Sequence, residues 1–161
     1  MSRRIAAFFG SLAFLAGCQT AYNNAYQAET QRLEAERAAQ QQQEQAAHAE
    51  AARYAAVVYF QTGSAALSPD AMTQLNWFVE KMTPYPQATF DVQGFADSTG
   101  SESTNQRLSD QRAQAVSQYL QSRGIAQNRL FAASFSTSSP AASNATSAGR
   151  KDNRRVEITV R

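Results

Sequence analysis

The sequence predicts an α/β (α+β) domain with the order strand–helix–strand–helix–strand–strand: a mixed four-stranded sheet with two helices packed on it, preceded by an exposed helical segment. Three observations predict it. Residues 55–60 form a short, almost wholly apolar run, a strand pattern. Two later stretches carry apolar residues at helical spacing, one closed by prolines and one by a glycine. Near the end, Val156, Ile158 and Val160 alternate strictly with polar residues.

The first strand, 55–60, is apolar enough to be buried on both faces. Gln61-Thr62-Gly63-Ser64 follows as a turn. Ser68 before Pro69 marks a helix start, and Met72, Leu75, Val79 and Met82 supply its apolar stripe. Trp77 and Phe78 beside them read as core aromatics. Thr83-Pro84-Tyr85-Pro86 stops this helix, and a second strand spans 89–94. A polar loop, 95–104, leads into a second helix over 105–123, with Gly124 just past its end. A connector, 125–129, precedes a third strand near 130–135. Residues 136–148 read as a Ser/Ala/Thr loop, and 149–155 as a basic run feeding the last strand.

Upstream, residues 1–17 have the layout of a secretory signal: Arg3 and Arg4, an apolar run over 5–16, then small residues. That run is too short for the ~20 residues that cross a bilayer as a helix. Leu15-Ala16-Gly17-Cys18 resembles a bacterial lipobox. The resemblance implies cleavage before Cys18 and acylation there, palmitate included, with more than one chain giving a stable anchor. By the same resemblance, Gln19 in place of Asp after the cysteine implies sorting to the outer membrane.

Residues 18–53 then form a linker, rich in Ala, Gln and Glu from about 25 onward and without Gly or Pro there, a composition of strong helix formers. Glu29 with Arg32, Arg32 with Glu36, and Glu44 with His48 fall at supporting spacings. Its best heptad frame sets Glu29, Glu36, Gln43 and Glu50 on the seam, a poor zipper, so an exposed tether is expected. Roughly 30 helical residues at ~1.5 Å each reach about 45 Å. His48, the one histidine, reads as solvated. The globular part is 54–161.

The net charge of +2 implies no strong electrostatic partner, and nucleic acid is excluded despite the basic run. Cys18 is the one cysteine, so no internal disulfide forms. With neither Cys nor His in 54–161, and no paired carboxylates, no nucleophile–base pair or metal set is present in the sequence, and neither an enzyme nor a cofactor is expected.

The informative residues lie on the second helix. At about 100° per residue, Asn105, Ser109 and Arg112 share a side with Leu108, Ala115, Val116, Tyr119 and Leu120, so three polar groups point inward. A buried guanidinium is costly without an anion, and Asp97 on the preceding loop is the nearest candidate. Two readings follow: an internal Asp97–Arg112 ion pair, or a cleft with one negative and one positive group, suited to a zwitterion.

Gly94-Phe95-Ala96-Asp97-Ser98-Thr99-Gly100, then Asn105-Gln106-Arg107-Leu108-Ser109-Asp110-Gln111-Arg112-Ala113, then Asn153-Arg154-Arg155-Val156, resemble in order and separation the motifs of the OmpA-like peptidoglycan-binding domain. The resemblance implies noncovalent binding of the diaminopimelate end of a peptidoglycan stem peptide, Asp97 taking its ammonium and Arg112 its carboxylate. By the same resemblance Thr99 and Asn105 hydrogen-bond the peptide, Arg154 contacts its carboxylates, and Gln61 contributes through its backbone. The implied protein is an outer-membrane lipoprotein, anchored at Cys18, that ties the membrane to the wall from the periplasmic side. The alternative is a degenerate domain that serves an envelope protein partner instead. Phe95-Ala96 replace the family's His-Thr, and Ser134 and Ser136 replace glycines flanking Phe135.

Overall fold

The computed structural model describes the backbone from Ala6 and side chains from Gln19 to Arg161, so the side chains of the expected signal segment and of Cys18, the expected lipidation site, lie outside the described residues. Two units are distinguished, residues 1–45 and 46–161. The described part of the first is helical: α1 spans Ala6–Ala51 and so ends in the second unit. Its described side chains are nearly all exposed, and Arg32 bonds Glu36 at 3.0 Å. Among the described residues no helix is long and apolar enough to cross a membrane.

The second unit carries β1 (Ala56–Tyr59), α2 (Pro69–Met82), β2 (Phe90–Gly94), α3 (Glu102–Ser122), a 3-10 turn (Gln127–Arg129), β3 (Leu130–Ser134), α4 (Ser147–Asn153) and β4 (Arg155–Val160). The sheet order is β1-β4-β2-β3, with β2 and β3 parallel and the other pairs antiparallel. The expected mixed four-stranded sheet is therefore present. Its last strand in sequence lies inside, between β1 and β2, and this brings Arg154 and Arg155 to the centre of one end.

Helix starts follow local chemistry. Ser68 Oγ accepts the Ala71 N–H at 3.1 Å ahead of Pro69, and Ser101 Oγ accepts the Thr104 N–H at 3.2 Å. The Ser101 cap starts α3 three residues ahead of the expected Asn105. From α2, Ala71, Leu75, Phe78 and Met82 are buried; from α3, Ala113, Val116 and Leu120. They pack on Val58, Phe90, Val92, Val156 and Ile158. Phe78 and Phe90 meet edge-on at 5.3 Å, and each fully buried side chain of this size contributes ~1.5–3 kcal/mol.

Four expectations are corrected. β1 is buried on one face only, because the helices cover a single side of the sheet; Val57 and Tyr59 face out. Trp77 is 41% exposed and touches Tyr54 edge-on at 6.2 Å, since Phe78, one position on, takes the inward direction. The stretch at 147–153 is the short helix α4, where a loop end and a basic run were expected. His48, though exposed, lies 2.6 Å from the Arg161 carbonyl oxygen and does not pair with Glu44.

Candidate functional site

Three connections meet at one end of the sheet: the β1–α2 turn, the β2–α3 loop and the α4–β4 junction. The close packing of α3 on β2 places the second of these. A Cβ at Gly94 would sit 2.0 Å from the Ser109 carbonyl oxygen, so only glycine lets the helix approach. The Ser109 hydroxyl turns back to its own helix, donating to the Asn105 and Gln106 carbonyls, and contacts the Ser134 hydroxyl. Ser134, where the resembled family has glycine, also donates to the Gln106 carbonyl at 3.1 Å.

Arg112 is 0% exposed and does not pair with Asp97. Its Nε donates to the Ser64 carbonyl at 2.9 Å, Nη1 to that of Phe95 at 3.0 Å and Nη2 to that of Gln61 at 3.1 Å. One guanidinium thus joins two loops through their backbones. It also lies over the Phe60 ring, 5.3 Å from its centre. The expected Asp97–Arg112 ion pair is replaced by another. Asp97 Oδ2 accepts from Arg154 Nη1 at 2.8 Å, and Oδ1 accepts from the Thr99 N–H at 2.9 Å. Arg154 in turn donates through Nε to the Phe60 carbonyl at 3.0 Å. Arg154 wins because β4 runs beside β1 and presents it across from Phe60, whereas the β1–α2 turn reaches Arg112 first.

The charges of Asp97, Arg112 and Arg154 act on one another. Burial pushes the Asp97 carboxyl up, but the Arg154 and Thr99 hydrogen bonds and the Arg154 charge outweigh it, and the group lies below its ordinary value. Burial pushes Arg112 down to about 10; the Asp97 charge raises it and that of Arg154 lowers it further. One carboxylate against two guanidiniums leaves a net positive cluster. Asp97 and Arg154 are nearly enclosed, with side-chain exposures of 6% and 12%. The Asn105 side chain is buried and makes no hydrogen bond with the described residues, while Thr99 stands exposed on the loop beside Gly100, whose φ is +93°.

A second network fixes the far wall. Asn153, fully buried, accepts the Ala142 N–H at 2.9 Å and donates to the Ala142 carbonyl and Asn144 Oδ1, each at 2.8 Å. Asn144 Oδ1 also accepts the Ser98 N–H at 3.1 Å, next to Asp97. Arg155 lies over the Phe95 ring at 3.9 Å, and Phe95 stacks on Phe135 at 5.5 Å. The Phe95 that replaces histidine is therefore a packing residue. Ser136, at the other position where the resembled family has glycine, has a positive φ of 47° and a buried hydroxyl that finds no partner among the described residues.

The structure thus gathers Asp97, Thr99, Arg154 and Arg112, with Gln61 supplying a carbonyl to Arg112 and Asn105 on the inward face of α3. Sequence reasoning missed Asn144, whose carboxamide links Ser98 to Asn153. The Asx chemistry of a loop Asn was its one signal.

Comparison with known proteins agrees with this architecture. The peptidoglycan-binding protein ArfA of Mycobacterium tuberculosis is 41% identical over 103 residues, covering 64% of this chain and 32% of ArfA. The probable lipoprotein YiaD of Escherichia coli is 38% identical over 103 residues, 64% of this chain and 47% of YiaD. The chain therefore spans less than half the length of either. Among solved structures, the peptidoglycan-associated lipoprotein from Burkholderia pseudomallei superposes with a TM-score of 0.63 at 25% identity, covering 66% of this chain and 90% of that one. The OmpA family model matches residues 59–154, which contain every residue of the cluster just described, and the chain belongs to the OmpA family.

Proposed function

We propose that the domain noncovalently binds the free zwitterionic end of a peptidoglycan stem peptide, diaminopimelate, and that acylation at Cys18 makes it a tether between outer membrane and wall. The observation that carries the reading is the enclosed cluster of one carboxylate and two guanidiniums at the loop end of the sheet. Each Asp97 oxygen accepts one bond in the free protein and has capacity for another, so an ammonium finds an acceptor already ionised. Arg154 and the two N–H groups that Arg112 has not given to carbonyls answer a carboxylate that enters between the loops. Asn105 and Thr99 supply neutral hydrogen bonds. Gln61 acts indirectly, by holding Arg112. The names of the ArfA relative and of the Burkholderia neighbour support the wall as ligand, and that of YiaD supports the lipoprotein.

One observation favours a second reading. Arg112 is wholly enclosed and Phe95 is committed to packing, as in a domain that keeps the fold and serves an envelope protein instead. Cosedimentation of the full chain with purified peptidoglycan separates the two. Wall binding predicts that the protein pellets and that Asp97→Asn stays in the supernatant. A wild-type chain that stays in the supernatant leaves the protein partner as the function.

A further inference from the structure

The sheet has an open edge beside this cluster. In the β1–β4 ladder the Phe60 N–H bonds the Arg154 carbonyl at 2.8 Å, so Val58 and Ala56, opposite Val156 and Ile158, continue the bonded set. On the other flank of β4, Phe95 N–H bonds the Arg155 carbonyl and Arg161 N–H that of Thr89, which assigns the alternate residues of β4 to β2. Val57 and Tyr59, between the bonded positions, therefore turn N–H and C=O away from β4. Among the described residues no strand lies beyond them. Their side chains are 37% and 48% exposed.

A groove of about 360 Å³ follows this edge. Consecutive residues 57–61 line one side, Asp70 at the start of α2 another, and Lys151 and Arg154 of the α4–β4 junction its end. The charges are uneven. Arg154 is answered by Asp97, and Asp70 sits in the first turn of α2, where the helix dipole offsets it. Lys151 forms no ion pair with a described residue and makes the α4–β4 end of the groove positive, while Asp70 marks the opposite side.

We propose that the β1 edge is a docking site for an extended acidic segment of a partner protein. The segment adds as a strand: its main chain bonds the N–H and C=O groups of Val57 and Tyr59, and a carboxylate meets Lys151. Four residues of β1 offer about 13 Å of edge, enough for a short segment. The same edge without a groove and a cation would invite any strand; the lysine selects an acidic one. Wall binding at Asp97 is not required, so the site stands or falls separately from the function proposed above.

The test uses the full chain and two synthetic hexapeptides alternating Thr with Glu or Thr with Lys, followed by amide hydrogen exchange and chemical shifts. The acidic peptide is expected to slow exchange at Val57 and Tyr59 and to shift their amides saturably. Lys151→Glu is expected to weaken it roughly three- to tenfold, the range for reversing one exposed charge. Asp97→Asn, which leaves Arg154 unanswered at the groove, should not weaken the response. Unchanged exchange at both residues, an equal response to the Lys peptide, or protection of both in the free protein that grows with its own concentration would each overturn the proposal, the last by placing a second copy on the edge.

Discussion

At Arg112 burial and charge oppose each other. A guanidinium driven down to about 10 by burial is a charge kept at a cost, and its three carbonyl partners explain how the fold tolerates it. Arg112→Lys is expected to lower stability by about 2 kcal/mol, because one ammonium cannot span acceptors from two loops; chemical denaturation measures it. Asp97 gives the pH dependence. Its carboxyl lies below its ordinary value in the folded protein, so the native state binds fewer protons around and just below pH ~4. The stability it contributes is present above the unfolded value and is lost as pH falls through the folded one. Thermal melts of the wild type should drop more steeply below pH ~4 than those of Asp97→Asn. The inward set Asn105, Ser109 and Arg112 was legible from helical spacing, and the structure buries all three. Their partners were not, since backbone carbonyls carry no sequence signature and Arg154 arrives from a distant strand.

Among the elements, α3 and α4 set the site. Gly94→Ala places a methyl against the Ser109 backbone and is expected to cost about 3 kcal/mol or block folding, where the same change at solvent-facing Gly63 meets no atom and costs only its left-handed φ. Asn153→Ala removes the bonds that hold Ala142 and Asn144, and with them the support of Ser98. About 2–3 kcal/mol of stability should go, and proteolysis within 136–146 should quicken, as limited digestion would show. The last strand was read from alternation, the first from its apolar run, and α2 from the Ser68-Pro69 start. α4 escaped because seven residues with a glycine and no apolar stripe show no periodicity; Thr146, which caps Gly149 at 3.0 Å, was its trace.

At the scale of the whole chain, each unit holds itself together differently. The exposed part of α1 has no core, so its helix rests on propensity and i,i+4 pairs and should melt gradually. Gln41→Pro should remove helical circular dichroism while leaving the cooperative melt of the 46–161 unit in place. Composition made the helix plain, and the boundary was harder. Ala51 lies buried in the core and Tyr54 packs against Trp77 and Tyr85, contacts that no polar linker composition announces.

A zwitterion site at Asp97 is open to calorimetric titration of the full chain and of Asp97→Asn with a diaminopimelate-containing stem peptide. Saturable one-to-one binding is expected, weakened at least roughly tenfold in the variant, since a charge-assisted bond is worth ~1.5–3 kcal/mol. No saturable heat with the wild-type chain, or equal affinity in a folded Asp97→Asn, would contradict it.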